Sequence, residues 1–158
     1  MSVAFRRDSD EEHLEPKFEL PIPPGPNLVT ARGVALIGAR IAALDAQVAL
    51  AADEAASGVV QRDLRYWKAR EITARVAPVP AGNRVEFGTR VTLSLNGARR
   101  TFTIVGHDEA DPAAGLLSFN APLSRAMLGA EQGDVLAFGG QADAIEIESI
   151  AVPGATAP

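Results

Sequence analysis

A stretch rich in proline and glycine at residues 78–83 divides this sequence into two parts in which apolar side chains recur at different intervals. Before it, apolar residues from Val34 to Ala55 alternate in steps of three and four, the interval of one helix face. After it, apolar and β-branched residues alternate with polar ones, which is the interval of a strand. This change predicts an α+β fold with helices first and a sheet second.

The first part is predicted to form a helical hairpin over residues 28–77. Thr30 is a suitable N-cap for the first helix. That helix carries a heptad seam of the coiled-coil type, made of Val34, Ile37, Ile41, Leu44, Val48, Ala51 and Ala55. A second, less regular apolar stripe reaches Pro78 through Val60, Leu64, Trp67, Ile72 and Val76. Narrow seams need a partner, so we expect two antiparallel helices of about 20 residues, roughly 30 Å each.

Residues 78–152 are predicted to form an antiparallel sheet with one short helix. The pair Asn96-Gly97 lies between two strand-like runs and favours a two-residue hairpin turn. Pro122 is a favourable first residue for a helix that stops at Gly129. Gly139-Gly140 predicts a further turn. The predicted strands are residues 84–87, 90–95, 99–105, 116–119, 135–138 and 144–150.

The two ends of the chain are predicted to lie outside these domains. Residues 1–27 combine an acidic run, Asp8 to Glu15, with four prolines after residue 20, so we expect a flexible arm. Residues 153–158 are expected to form a loose tail. The N-terminus lacks the pattern of a signal peptide, and no apolar run approaches the roughly 20 residues of a membrane span. We therefore expect a cytoplasmic protein without membrane contact, acting as a monomer.

The composition argues against several classes of site. The chain has no cysteine and two histidines, too few for a thiolate or histidine-rich metal site, so we expect no metal of its own. A net charge of −5 argues against a protein that holds duplex DNA through its phosphates. Aromatic residues make up 5%, which is low for a base-stacking surface. Any nucleic-acid role is therefore expected to be indirect.

Four sequence blocks in the second part resemble the C-terminal domain of the GreA and GreB transcription elongation factors. The blocks are residues 87–93, 103–111, 118–129 and 133–135. Residues 28–33 and 62–67 are also similar to the helical hairpin of that family. The resemblance implies an FKBP-like domain without isomerase activity that grips the rim of the secondary channel of bacterial RNA polymerase. It also implies a hairpin directed toward the catalytic magnesium, in a protein that is not itself an enzyme and needs no cofactor.

The tip of the hairpin decides what such a protein does to RNA. In Gre proteins, an acidic pair at the tip helps to position Mg²⁺ for cleavage of backtracked RNA, and this chain resembles a short-hairpin member of the family. A tip near Asp53 and Glu54 presents a new acidic pair, whereas a turn at Ser57-Gly58 places Val59 and Arg62 there. We favour the first, which needs no insertion or deletion in the second helix. Cleavage stimulation stays open beside the alternative, a non-cleaving competitor resembling the regulator of nucleoside diphosphate kinase.

Two further sets of residues are candidates for a binding site, one from the resemblance and one from the sequence itself. The resemblance places the polymerase contact at Ser118, Asn120, Pro122 and Leu123, with Ala121 where the family commonly has serine. The acidic loop, made of Asp108, Glu109 and Asp111, has three alternatives: a metal cluster, a contact with a basic partner, or a turn in which short acids bind backbone donors.

Overall fold

The structure, a computed structural model, describes residues 19–154. Most of the predicted acidic arm and the last four residues of the predicted tail lie outside the described residues. The chain divides into two compact units. Residues 37–73 belong to a helical unit, whereas residues 26–36 and those from 74 onward belong to a unit that contains the sheet.

Two helices of 20 residues each make up most of the helical part. Helix α1 spans Ala31–Leu50 and helix α2 spans Glu54–Thr73. The side chain of Thr30 accepts a hydrogen bond of 3.1 Å from the Gly33 amide, which confirms Thr30 as the N-cap of α1. Three residues separate the helices, so the chain reverses at 51–53.

The seam between the helices contains half-buried rather than fully buried side chains. Ile41, Leu44 and Val48 of α1 are half-buried, whereas Val34 at the start of the predicted seam is 46% exposed. The guanidinium of Arg40 lies 5.9 Å from the centre of the Trp67 ring, which itself meets Tyr66 edge to face. This cation–π contact joins the two helices through the Arg40 guanidinium and the Trp67 ring.

One alternative for the hairpin, the turn at Ser57-Gly58, and one detail of its second helix are wrong. Ser57 and Gly58 do not end a helix but lie inside α2, which already begins at Glu54. A single glycine lowers helix stability by only about 1 kcal/mol, so the helix continues through Gly58. At the other end, α2 stops at Thr73, and Ile72 is 83% exposed rather than part of a seam. Arg75–Val76 form strand β2, which pairs in parallel with strand β1, Leu28–Val29.

The main sheet has five strands, β3 Arg90–Leu95, β4 Ala98–Val105, β5 Leu116–Ser118, β6 Val135–Phe138 and β7 Gln141–Ala151. Their order across the sheet is β5-β4-β3-β7-β6. The turn between β3 and β4 lies at Asn96-Gly97 as predicted, and both residues have positive φ, 51° and 86°. Helix α3, Pro122–Met127, confirms the predicted short helix.

The sheet departs from the prediction in two places. Strand β5 pairs with β4 in parallel, so the sheet is mixed rather than antiparallel. The connection from β4 to β5 contains two short 3-10 helices, His107–Glu109 and Pro112–Ala114. It brings the chain back so that β5 runs in the same direction as β4. Residues 84–87 are not a strand, because the backbone of Val85 instead pairs with the backbone of Gly129 and Ala130 after α3.

The core of this unit lies between α3 and one face of the sheet. Met127 of α3 is fully buried, and it belongs to a cluster with the inward-facing side chains of β3, β4 and β7. The fully buried aliphatic members from those strands are Val91, Leu93, Ile104, Ile145 and Ile147. Inward side chains at every second position of β3 confirm the alternation read from the sequence.

Helix α1 is long and apolar enough to cross a membrane by length and composition alone, a test that helices of soluble proteins also pass. Seven of its 20 residues are alanine, which raises the average hydropathy while adding little apolar surface. The helix also carries Arg32, Arg40 and Asp45, and charged groups are costly inside a bilayer.

A buried carboxylate connects the start of α1 to the loop after β4. Glu109 is 4% exposed and accepts hydrogen bonds from the Thr30 amide at 3.1 Å, from the Thr30 hydroxyl and from the Gly106 amide at 3.2 Å. Gly33 lies directly against this group, since a β-carbon there would be 2.6 Å from Oε2 of Glu109. The junction is therefore a charged hydrogen-bond network that leaves no room for a side chain at residue 33.

We predict opposite effects for alanine at two glycines of α1. Gly33→Ala should destabilise the protein by about 1–3 kcal/mol, because the new methyl group displaces a buried, hydrogen-bonded carboxylate. Gly38→Ala, with open space around its β-carbon, should stabilise it by about 0.5–1 kcal/mol. Urea unfolding followed by circular dichroism measures both, and equal effects would contradict the close contact between Gly33 and Glu109.

Candidate functional site

The segment from β5 to α3 forms a tightly bonded turn. The carbonyl of Ser118 accepts hydrogen bonds from the Ser124 hydroxyl at 2.7 Å and from the Ala121 amide at 3.0 Å. Its hydroxyl accepts one of 3.2 Å from the Asn120 amide. The Phe119 ring meets the Phe87 ring edge to face with their centres 5.5 Å apart. These contacts hold the residues between β5 and α3 in one conformation.

The turn separates the four predicted docking residues into two kinds. Asn120 and Pro122 are exposed, and Pro122 occupies the first turn of α3, where its missing N–H costs nothing. Leu123 is half-buried and packs against the core, while Ser118 is half-buried and bonded within the turn. Asn120 and Pro122 are therefore the two side chains that this turn offers most openly to a partner.

Ala121 stands at the N-cap position of α3. Its backbone is extended, with φ −63° and ψ 145°, as an N-cap requires, but its methyl group makes no capping hydrogen bond. A serine at this position would supply a hydroxyl both to the helix and to a partner. Between β5 and α3, the exposed polar side chain is therefore that of Asn120.

The hairpin reverses beside the two candidate tip acids. The Asp53 carboxylate accepts a hydrogen bond of 2.7 Å from the Ala56 amide, and its carbonyl accepts one of 3.0 Å from Ser57, so Asp53 is the N-cap of α2. Glu54 is the first residue of α2 and is exposed. Of the two placements left open by the sequence, the structure therefore has the tip near Asp53 and Glu54.

The carboxylates of Glu109 and Asp111 in the acidic loop do not lie in a common environment. Glu109 turns inward to Thr30, whereas Asp111 is exposed and bridges to Leu116 through backbone hydrogen bonds of 2.8 and 3.0 Å. Among residues 19–154, no group of three acidic or histidine side chains is arranged to hold a metal ion. The arrangement matches the turn alternative, with one acid serving the junction to α1. The sequence carried no local signal for that role, because Thr30 and Glu109 lie 79 residues apart.

A comparison with known protein families finds a match for the sheet-containing part of the chain. The family described as "Transcription elongation factor, GreA/GreB, C-term" matches residues 80–152, which include all four blocks singled out in the sequence. Residues 80–152 form a GreA/GreB C-terminal domain. The predicted resemblance to this family is thereby confirmed for the sheet-containing part of the chain.

Curated relatives agree with this assignment. Transcription elongation factor GreA of Desulfovibrio desulfuricans is 37% identical over 81 residues, which cover 49% of this chain and 50% of that protein. The GreA of Pseudomonas putida is 34% identical over 93 residues, 58% of each chain. The chain thus spans about half the length of the curated relatives it matches. Among solved structures, GreA factor homolog 1 of Thermus thermophilus is 16% identical, with a TM-score of 0.38 over 80% of this chain and 99% of that one.

We predict that the structural and chemical roles of Asp53 can be separated. Asp53→Ala removes the cap of α2 and should destabilise the helical unit by about 0.5–2 kcal/mol, while Asp53→Asn keeps a capping oxygen and should change stability by only a few tenths. The loss of helical circular dichroism on heating distinguishes the two variants. If Asp53→Asn were as destabilising as Asp53→Ala, the carboxylate charge rather than the cap would be the important feature.

Proposed function

We propose that this chain binds bacterial RNA polymerase through its GreA/GreB C-terminal domain and acts on the elongating enzyme from the secondary channel. The match of residues 80–152 to that domain carries the proposal. The curated relatives are named as transcription elongation factors, which supports the same kind of partner. The exposed pair Asn120 and Pro122, held on a stiff turn, supplies a surface suited to docking.

In this proposal the helical hairpin would carry the tip acids toward the active site of the polymerase. Two helices of 20 residues give a rod of about 30 Å with carboxylates where it reverses. Magnesium prefers hard oxygen ligands, keeps several waters and lowers the pKa of a water bound to it. Carboxylates brought beside the catalytic magnesium of the polymerase would help to position a second ion and its water for attack on backtracked RNA.

A second candidate is a regulator that occupies the same channel without promoting cleavage, resembling the regulator of nucleoside diphosphate kinase. The cap at Asp53 favours it, since one carboxylate oxygen is already bonded to the Ala56 amide. Glu54, by contrast, is exposed on the first turn of α2. In both candidates the protein is a cytoplasmic monomer, without enzymatic activity or a cofactor of its own, that meets nucleic acid only within the elongation complex.

Polymerase binding is predicted to depend on the turn before α3. Pro122→Glu should weaken the complex about tenfold, roughly 1.4 kcal/mol, because it places a charge in the contact while glutamate remains favourable in the first turn of a helix. Gln141→Glu is the matched control, since it adds the same charge at an exposed position at the start of β7. Leu123 is a poor test residue because its side chain packs on the core.

The difference in affinity is measured by adding graded concentrations of each variant to polymerase immobilised on a surface. The docking assignment fails if Pro122→Glu and Gln141→Glu bind with the same affinity as the unmodified chain. The wider proposal fails if the unmodified chain, folded as judged by circular dichroism, does not bind polymerase at all.

Cleavage is tested with a variant that retains the cap. Purified polymerase stalled in a backtracked state should shorten its RNA faster with this protein and Mg²⁺ if the tip acids position the ion. The double variant Asp53→Asn with Glu54→Gln should abolish that acceleration without weakening binding, because it removes both charges and retains the capping oxygen. Binding of the unmodified chain without faster shortening would identify the non-cleaving regulator.

A further inference from the structure

A groove of about 430 Å³ opens on the unit that contains the sheet. It is lined by the start of α1, by the segment 76–80 that follows α2, and by residues of β3, β4 and β5. Most of its lining is apolar and includes Phe87, Val105 and Leu116. Its volume lies within the range of about 300–1,000 Å³ that is usual for ligand pockets. The groove therefore has room for at least one large apolar side chain.

Two arginines line this groove, and no carboxylate from the described part of the chain does. Arg32 comes from the first turn of α1 and Arg90 from the start of β3, and both are exposed. Neither forms an ion pair with an acid among residues 19–154. Other arginines in the same part of the chain do so, namely Arg62 with Asp63, Arg65 with Glu19 and Arg99 with Glu148. The lining thus carries two positively charged side chains in a protein of net charge −5.

The positive charge of the groove comes from these side chains rather than from the end of α1. The Thr30 amide at that end already donates to the buried carboxylate of Glu109, which places a negative charge beside the first turn. A guanidinium pairs with a carboxylate through two parallel hydrogen bonds. Arg32 and Arg90 are therefore the groups that an anionic partner would meet.

The chemistry of the lining narrows the class of partner. Duplex nucleic acid needs an extended basic surface, whereas this groove offers two arginines around apolar walls. Strand addition along the 76–80 wall is also disfavoured, because Pro78 and Pro80 have no N–H to donate. Recognition must then rest on side chains: an apolar one in the groove and acidic ones on the arginines.

We propose that the groove binds an acidic segment of a partner protein, in which one large apolar side chain enters the groove and flanking carboxylates pair with Arg32 and Arg90. This goes beyond the proposed binding of polymerase through Asn120 and Pro122, since neither residue lines the groove. The groove lies wholly within residues 26–36 and 74–153, one of the two compact units. It therefore exists whatever the arrangement of the helical unit.

The test uses the full chain and a fluorescein-labelled probe peptide that has one leucine flanked on each side by two glutamates. Fluorescence anisotropy should show saturable binding that weakens as salt is added, because the pairing is electrostatic. Arg32→Gln and Arg90→Gln should each weaken binding about three- to tenfold. Arg84→Gln removes an exposed arginine that does not line the groove, and its affinity should match that of the unmodified chain.

Two altered probes and one further variant complete the design. Replacing the probe's leucine by serine, or its glutamates by glutamines, should each abolish saturable binding. Equal binding of the serine probe, or equal affinities of Arg84→Gln and Arg90→Gln, would overturn the proposal. The full-length variant with Asp10→Asn, Glu11→Gln and Glu12→Gln should bind the probe as the unmodified chain does. Tighter binding would assign the groove to the chain's own acidic stretch and overturn the assignment to a partner.

This experiment contains no polymerase, so its outcome is separate from that of the proposed function. Loss of polymerase binding in Pro122→Glu with unchanged probe binding would leave the groove proposal intact. Absence of saturable probe binding, in a chain that binds polymerase normally, would overturn the groove proposal alone.

Discussion

The hydrogen bonds between Glu109 and Thr30 are the constraint that fixes the start of α1 within the sheet-containing unit, to which residues 26–36 belong. Removing a carboxylate from water costs several kcal/mol unless hydrogen bonds compensate. Here the Thr30 amide, the Thr30 hydroxyl and the Gly106 amide supply three such bonds. The same threonine caps α1 through its bond from Gly33, so one residue both begins the helix and attaches it. The absence of a side chain at Gly33 is what allows this close approach.

Three acidic residues of this chain differ in burial and therefore in what their carboxylates bind. Glu109 is buried and bonded, whereas Glu54 is exposed at the reversal of the hairpin, and Asp53 combines exposure with a capping bond. An acid already bonded to backbone amides contributes to the fold and has little left for a partner. An exposed acid at a helix start stabilises that helix modestly and keeps its oxygens available. The acids that remain exposed for the proposed function are therefore Glu54 and, in part, Asp53, and not Glu109.

Features set by neighbouring residues were predicted well from the sequence. The strands at 90–95 and 135–138, the Asn96-Gly97 turn and the helix starting at Pro122 all follow from local periodicity or turn chemistry. Features set by distant partners were missed. Val85 lies outside any strand because its partners are Gly129 and Ala130. The same applies to the site, since the burial of Glu109 and the grouping of Arg32 with Arg90 bring together residues that are far apart in sequence.

The cap at Asp53 also limits what the tip can do. Magnesium retains several waters and needs few protein oxygens, so the number of carboxylates matters less than where they are held. Asp53 is held by the Ala56 amide, and moving its carboxylate toward an ion would release that amide and fray the first turn of α2. Glu54 has a longer side chain and moves without that cost. The reach of the hairpin is therefore set by its two 20-residue helices together with the side chain of Glu54. Partial unwinding of α2 at the tip would lengthen the hairpin, but only with loss of the cap at Asp53.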